Sequence, residues 1–193
     1  MATRKNIFCL EGEWDASLKS RNSILPTLEF MEHSYYKVKY VFRKVALQDD
    51  LFFYLHKALR SKFNTYSIIN LAFHGESQKI HMANGFKIKL SEIAKEFEVA
   101  FENKIIHFGS CSTLRTNSKT LHKFMDDTGA LLVSGYTRNI DFIDSSLFDI
   151  AYFTLLQKYD RLSYIDNKLQ KDYTCLVDRL GFYLLHQNKV LVA

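Results

Sequence analysis

A histidine and a cysteine each follow a short apolar segment of the chain, and together they could form a nucleophilic site. His74 comes directly after the apolar segment 67–73, and Cys111 follows the apolar segment 105–108. Short apolar segments of this kind are typical of the central strands of a parallel sheet. Reacting groups in such a sheet gather beyond the carboxyl ends of the strands. Adjacent strands lie about 4.8 Å apart, so we expect both side chains to face one substrate.

This pair of residue types is suited to covalent catalysis. A free thiol is mostly protonated at neutral pH, and a neighbouring imidazole can raise its thiolate fraction and pass a proton to the leaving group. The tetrahedral intermediate needs N–H donors for its oxyanion, and the backbone amides of Gly75 and Cys111 are the natural candidates. Taken alone, each residue has a plainer interpretation, namely a histidine in a turn and an unreactive buried thiol. Cys9 and Cys175 are predicted to be core residues, and a structural role is favoured for His107.

The surrounding sequence predicts the elements that would position the pair. Strands are predicted at 7–10, 38–42, 67–73, 105–108 and 130–134, helices at 23–36, from 49 to about 63, 91–103, 118–127 and 147–156, and a hairpin at 79–90. The hairpin rests on Asn84-Gly85, a strong signal for a tight turn between two strands. Strands that alternate with helices at these lengths imply a parallel sheet covered on both faces.

We predict a single domain over residues 1–193, with a core at about 6–156 and a C-terminal helical segment at 157–193. The prediction of helix in that segment rests on the spacing of Leu176, Leu180, Tyr183 and Leu184.

Two motifs resemble the caspase-like clan of cysteine peptidases, which includes caspases, metacaspases, legumain, gingipains, separase and the bacterial CHAT proteins. A strand that ends in His-Gly (LAFHG, Leu71 to Gly75) is followed by a hairpin, a helix and a strand that ends in a cysteine between small residues (HFGSCS, His107 to Ser112). The stretch from Leu131 to Leu156 is similar to the CHAT pattern of a strand, a short polar loop and a buried helix. The resemblance covers roughly residues 6–156.

The resemblance implies a three-layer α/β/α caspase-hemoglobinase-like fold, with a mostly parallel central sheet of strand order 2-1-3-4-5 and a small β-hairpin excursion. It also implies a cysteine endopeptidase in which His74 and Cys111 form a catalytic dyad, with the Gly75 and Cys111 amides as oxyanion donors. The implied partner is a protein or peptide substrate, and the implied setting is regulated proteolysis or bacterial defence. The sequence leaves open whether an activating protein partner is also required. The alternative from another class is a catalytically inactive relative that serves as an interaction module.

The loop 135–144 leaves the strand beside the expected nucleophile, where this clan builds part of its substrate wall. We therefore consider Asp141, Asp144 and Tyr136 as candidate substrate-binding residues, with one of the two carboxylates favouring a basic side chain at the cleavage position. For Asp144 we favour a different role, the N-cap of the following helix.

Composition and spacing exclude or disfavour several classes of function. The net charge is +5, but the basic residues are scattered, which argues against a nucleic-acid partner. No apolar run is long enough to span a bilayer, and no signal peptide is evident, so we expect a cytoplasmic protein without a membrane partner. Three cysteines without CxxC spacing, and histidines without HExxH, predict no metal and no cofactor. A nucleotide-binding domain is disfavoured because GxGxxG and GxxxxGKS are absent. The oligomeric state is not indicated.

Overall fold

The structure is a computed structural model that describes residues 4–17 and 19–187. As far as the helix Phe142–Lys158, the helices and strands within these residues follow the predicted alternating order, apart from an additional short strand at Gly75–Glu76. They are β1 (Ile7–Glu11), α1 (Leu25–His33), β2 (Tyr40–Lys44), α2 (Gln48–Ala58), β3 (Ile68–Ala72), β4 (Gly75–Glu76), β5 (Lys79–His81), β6 (Lys87–Lys89), α3 (Leu90–Glu96), β7 (Ile105–Phe108), α4 (Ser118–Thr128), β8 (Leu132–Tyr136), α5 (Phe142–Lys158), α6 (Leu162–Asp172), α7 (Thr174–Leu180) and β9 (Phe182–His186).

The main sheet has the strand order β2-β1-β3-β7-β8-β9. The first five strands are parallel and confirm the predicted order 2-1-3-4-5, with β2 at the edge. The strand order reverses between β1 and β3, because the chain first moves outward to β2 and then returns to the other side of β1. In open sheets this reversal opens a crevice at the carboxyl ends of the strands.

Two hydrophobic cores lie on opposite faces of the sheet and define three layers. One core joins one face of the strands to α2, α3 and α4, through residues such as Leu55, Ile93 and Phe124. The other joins the opposite face to α1, α5, α6 and α7, through residues such as Met31 and Phe153. Adjacent strand residues face different cores, so both faces of each central strand are apolar. The predicted three-layer architecture is therefore confirmed.

The predicted hairpin is confirmed and extended by a third strand. β5 and β6 pair antiparallel around the Asn84-Gly85 turn, and β4, directly after His74, adds to the outer side of β5. The resulting three-stranded sheet is separate from the main sheet.

The prediction of a wholly helical C-terminal segment is wrong. After α6 and α7, Gly181 adopts a left-handed conformation with φ of 61° and ends the helix. The chain then returns as β9, which pairs antiparallel with β8 and forms the sixth strand of the sheet. Residues Phe182 to Leu185 form a short, continuous apolar run, and the periodicity of such a run does not distinguish a buried strand from a buried helix. Residues 188–193 of the predicted segment lie outside the described residues.

Candidate active site

A cavity of about 130 Å³ lies at the carboxyl edge of the main sheet, beside the point where the strand order reverses. Loops after β1, β3, β7 and β8 and the first turns of α5 contribute to its wall. Its lining residues are Trp14, Ile24, His74, Gly109, Ser110, Cys111, Ile140, Phe142, Ser145, Ser146 and Asp149. The two residues of the predicted dyad, His74 and Cys111, therefore line one cavity.

The Cys111 thiol faces the loop that follows β8. The backbone N–H of Ile140 donates to Cys111 Sγ at 3.4 Å, and the side chain is partly buried. The turn that carries the thiol is fixed to the same loop, because the Ser112 N–H donates to the Arg138 carbonyl at 2.8 Å and the Ser112 hydroxyl donates to the Asn139 side chain at 2.9 Å. These bonds hold the thiol at the cavity wall.

The His74 imidazole is oriented by a backbone carbonyl. Its Nε2 lies 2.8 Å from the carbonyl oxygen of Trp14. A carbonyl can only accept, so Nε2 carries the proton and Nδ1 is left as the basic nitrogen. The Trp14 indole packs edge-on against the imidazole at a centroid distance of 5.3 Å. His74 is thus held in the tautomer that leaves Nδ1 free to accept a proton.

Gly75 packs directly against the turn that carries Cys111. A Cβ at this position would lie 2.3 Å from Thr113 Oγ1 and 2.8 Å from the Cys111 carbonyl oxygen, so the approach requires glycine. The His81 N–H donates to the His74 carbonyl, and Gly75 lies opposite Ile80. This register makes Gly75 a non-hydrogen-bonded position, and its N–H points away from β5. The amide remains available for the role of oxyanion donor that we predict for it.

Tyr136, which we expected to be exposed, belongs to a buried polar network beneath the cavity. The Tyr136 side chain is fully buried and its hydroxyl donates to Asp149 Oδ1, so the prediction that Tyr136 contacts substrate is wrong. Burial and the neighbouring Asp149 carboxylate raise the pKa of Tyr136 well above its ordinary value. His107 Nε2 lies 3.1 Å from the same carboxylate oxygen. His107 Nδ1 lies 3.0 Å from the Ser134 hydroxyl, which confirms the structural role favoured for this histidine.

The two acidic residues predicted in the loop serve the start of α5. Asp141 is the N-cap, and its Oδ1 accepts from the backbone N–H groups of Ile143 and Asp144 at 2.9 and 3.0 Å. The prediction that Asp144 is the N-cap is therefore wrong, since α5 begins at Phe142, five residues earlier than expected. Asp144 instead pairs with Arg179 at 2.7 Å. Neither carboxylate is among the residues that line the cavity.

The carboxylate that does line the cavity is Asp149, which we did not predict from the sequence. It is only 2% exposed. A signal was present, because Asp149 is the one charged residue in the almost entirely apolar run from Leu147 to Leu156. Trp14, Ile140 and Phe142 were also missed as wall residues. They come from loops whose distance from Cys111 depends on tertiary structure.

Other features of the described residues bear on the chemistry of the site. Cys9, Cys111 and Cys175 are free thiols. Cys9 is buried, as predicted, and burial raises its pKa well above the ordinary value. Cys175 is exposed, so the prediction that it is a core residue is wrong. Within residues 4–17 and 19–187, no group of three or more His, Cys, Asp or Glu side chains could hold a metal ion. In the same part of the chain, no helix is long and apolar enough to cross a membrane.

Comparisons with known proteins identify a family and a fold. The matching family model is described as a family of unknown function (DUF6642), and it covers residues 4–186. No curated protein matches. The crystal structure of the Drosophila initiator caspase Dronc superimposes with a TM-score of 0.61 and 14% sequence identity, over 98% of this chain and 82% of that one. The chain therefore has a caspase-like fold.

Proposed function

The chain belongs to the family of unknown function DUF6642, and we propose that it is a cysteine endopeptidase that hydrolyses peptide bonds in a protein substrate. Cys111 is the nucleophile and His74 is the general base and acid. One observation carries the proposal, namely that both side chains line a single cavity at the carboxyl edge of a sheet with a caspase-like fold. The cytoplasmic location that we expect from the sequence remains part of this proposal.

The proposed reaction proceeds through an acyl-enzyme. His74 Nδ1 accepts the thiol proton, and Cys111 Sγ attacks the carbonyl carbon of the scissile peptide. The Gly75 and Cys111 amides donate to the oxyanion. The C–N bond then breaks as His74 returns the proton to the leaving amine, which leaves a thioester on Cys111. Water attacks the thioester, with its proton passing to His74, and the carboxylic acid product leaves as the thiol is regenerated.

We further propose that Asp149 selects a basic side chain at the cleavage position. Apart from His74 and Cys111, Asp149 is the one ionisable side chain among the described residues that line the cavity. Its Oδ1 accepts a hydrogen bond from the Tyr136 hydroxyl, which fixes the carboxylate at the cavity wall, and His107 Nε2 lies 3.1 Å from the same oxygen. The aromatic and aliphatic residues around it suit the methylene stem of lysine or arginine. We therefore assign the preference for a basic side chain to Asp149, and no longer to Asp141 or Asp144.

A peptide library that varies the residue before the scissile bond tests both the activity and this preference. We expect cleavage after arginine or lysine, and the Asp149→Asn variant should lower kcat/KM for those peptides by roughly tenfold, because it removes the charge complement while keeping the size of the side chain. Asp144→Asn is the matched control, and we expect it to leave the preference unchanged. Preferential cleavage after neutral or acidic residues would contradict the role of Asp149, and a library left uncut would contradict the activity.

The second candidate is a catalytically inactive interaction module with the same fold. The observation that favours it is the setting of the thiol, which is only partly exposed and has its hydrogen-bonding contacts with the backbone of Ile140. The two candidates differ in the reactivity that they require of Cys111.

A further inference from the structure

A buried carboxylate at the end of β1 lies behind the loop that orients His74. The side chain of Glu11 has no solvent exposure, and donors from three parts of the chain surround it. Its Oε1 accepts from the indole N–H of Trp14 at 2.7 Å and from the backbone N–H of Ile24 at 2.5 Å. Its Oε2 accepts from the Ser23 hydroxyl at 2.7 Å and pairs with Lys44 Nζ at 2.8 Å. Each oxygen therefore has two partners, as a buried charge requires.

One of these four contacts leads to His74. Trp14 binds Glu11 through its indole N–H, and its backbone carbonyl accepts from His74 Nε2 at 2.8 Å. The same indole packs edge-on against the imidazole. The contacts with Ser23 and Ile24 lead to the start of α1, where Ile24 lines the cavity but is not a partner of His74. Lys44 lies on β2 at the sheet edge.

We propose that Glu11 is a positioning residue for His74, acting through Trp14. By holding the indole, the carboxylate fixes the loop that carries the Trp14 carbonyl, and that carbonyl keeps the proton of His74 on Nε2. The catalytic consequence rests on the proposed function, because Nδ1 is then the nitrogen that faces the reaction. The proposed effect of Glu11 on the tautomer and orientation of His74 does not depend on the peptidase function.

Two hydrogen bonds of equal length to the same carboxylate provide a matched pair of variants. Trp14→Phe removes the indole N–H but keeps an aromatic ring, and Ser23→Ala removes the hydroxyl that binds the other oxygen. The measurement is the ¹⁵N NMR spectrum of the His74 imidazole at about pH 8.5, where an ordinary imidazole is neutral, since ¹⁵N shifts distinguish an Nε2–H tautomer from an Nδ1–H tautomer. Thermal unfolding of both variants reports on stability, and Trp14→Tyr is a second variant without the indole N–H.

We expect the wild-type protein and Ser23→Ala to show the Nε2–H tautomer, and Trp14→Phe to show a mixture of tautomers although the two variants unfold at similar temperatures. The rate of Cys111 alkylation should fall about fivefold in Trp14→Phe and change less than twofold in Ser23→Ala. An unchanged His74 tautomer in both Trp14 variants would overturn the proposal. If the tautomer changes as expected while Cys111 alkylation is independent of His74, the positioning role stands and the peptidase proposal fails.

Discussion

The Cys111→Ala variant is expected to lose peptide cleavage by at least about 10³-fold while it keeps its fold, because it removes the nucleophile that forms the thioester. The described contacts of this side chain are with the Ile140 backbone, and the thiol is only partly buried, so its removal leaves no sizeable cavity. The measurement is kcat/KM on the best peptide from the library, together with the thermal unfolding midpoint.

Cys175→Ala is the matched control. Cys175 is an exposed residue on α7, and we expect its replacement to leave both cleavage and stability unchanged. Retention of more than a tenth of the cleavage activity in Cys111→Ala would mean that another group carries the reaction.

The Gly75→Ala variant is expected to lower cleavage by on the order of 10²-fold, since a single methyl group forces β4 away from the turn that carries Cys111. Its Cβ would lie 2.8 Å from the Cys111 carbonyl oxygen and 3.0 Å from Ser110 Cβ. A backbone carbonyl cannot rotate out of the way as a side chain can, so the Gly75 amide and the thiol must separate. Overpacking of this kind also lowers stability by about 1–3 kcal/mol.

A second glycine variant separates the effect on stability from the effect on the site. Gly85 has φ of 82°, and a Cβ added there would meet no atom within 4 Å, so Gly85→Ala strains the hairpin turn without a steric clash. We expect this variant to lose about 1 kcal/mol of stability and to keep its kcat/KM. Equal losses of activity in the two variants would show that general destabilisation, rather than the position of Gly75, is responsible.

The positions of His74 and Cys111 could be predicted because they depend on local patterns and one general rule. Each follows a short apolar segment, and parallel strands present their carboxyl ends at one edge. The structure places the two segments as neighbouring strands, β3 and β7, so both residues reach the same cavity. The hairpin was predicted in the same way, from the Asn84-Gly85 turn between two segments of alternating apolar and polar residues.

The rest of the site depends on contacts between segments that are far apart in the sequence. Trp14 contacts His74 across 60 positions, and the Ile140 amide reaches Cys111 across 29. Tyr136 was predicted to be exposed because it follows an apolar strand, but the strand continues through it and pairs with β9. A buried acidic residue such as Asp149 needs polar partners from other elements, and the sequence does not show which elements supply them.

The most direct test of the proposed dyad is the rate at which iodoacetamide alkylates each cysteine at neutral pH, mapped by mass spectrometry in the wild-type protein and in His74→Ala. Cys9 is buried and burial raises its pKa, so it should not react in the folded protein, whereas exposed Cys175 provides an internal reference. We predict that Cys111 reacts about tenfold faster than Cys175 and that His74→Ala removes this advantage. Slow reaction of Cys111 that does not change in His74→Ala would contradict the dyad and favour the inactive interaction module.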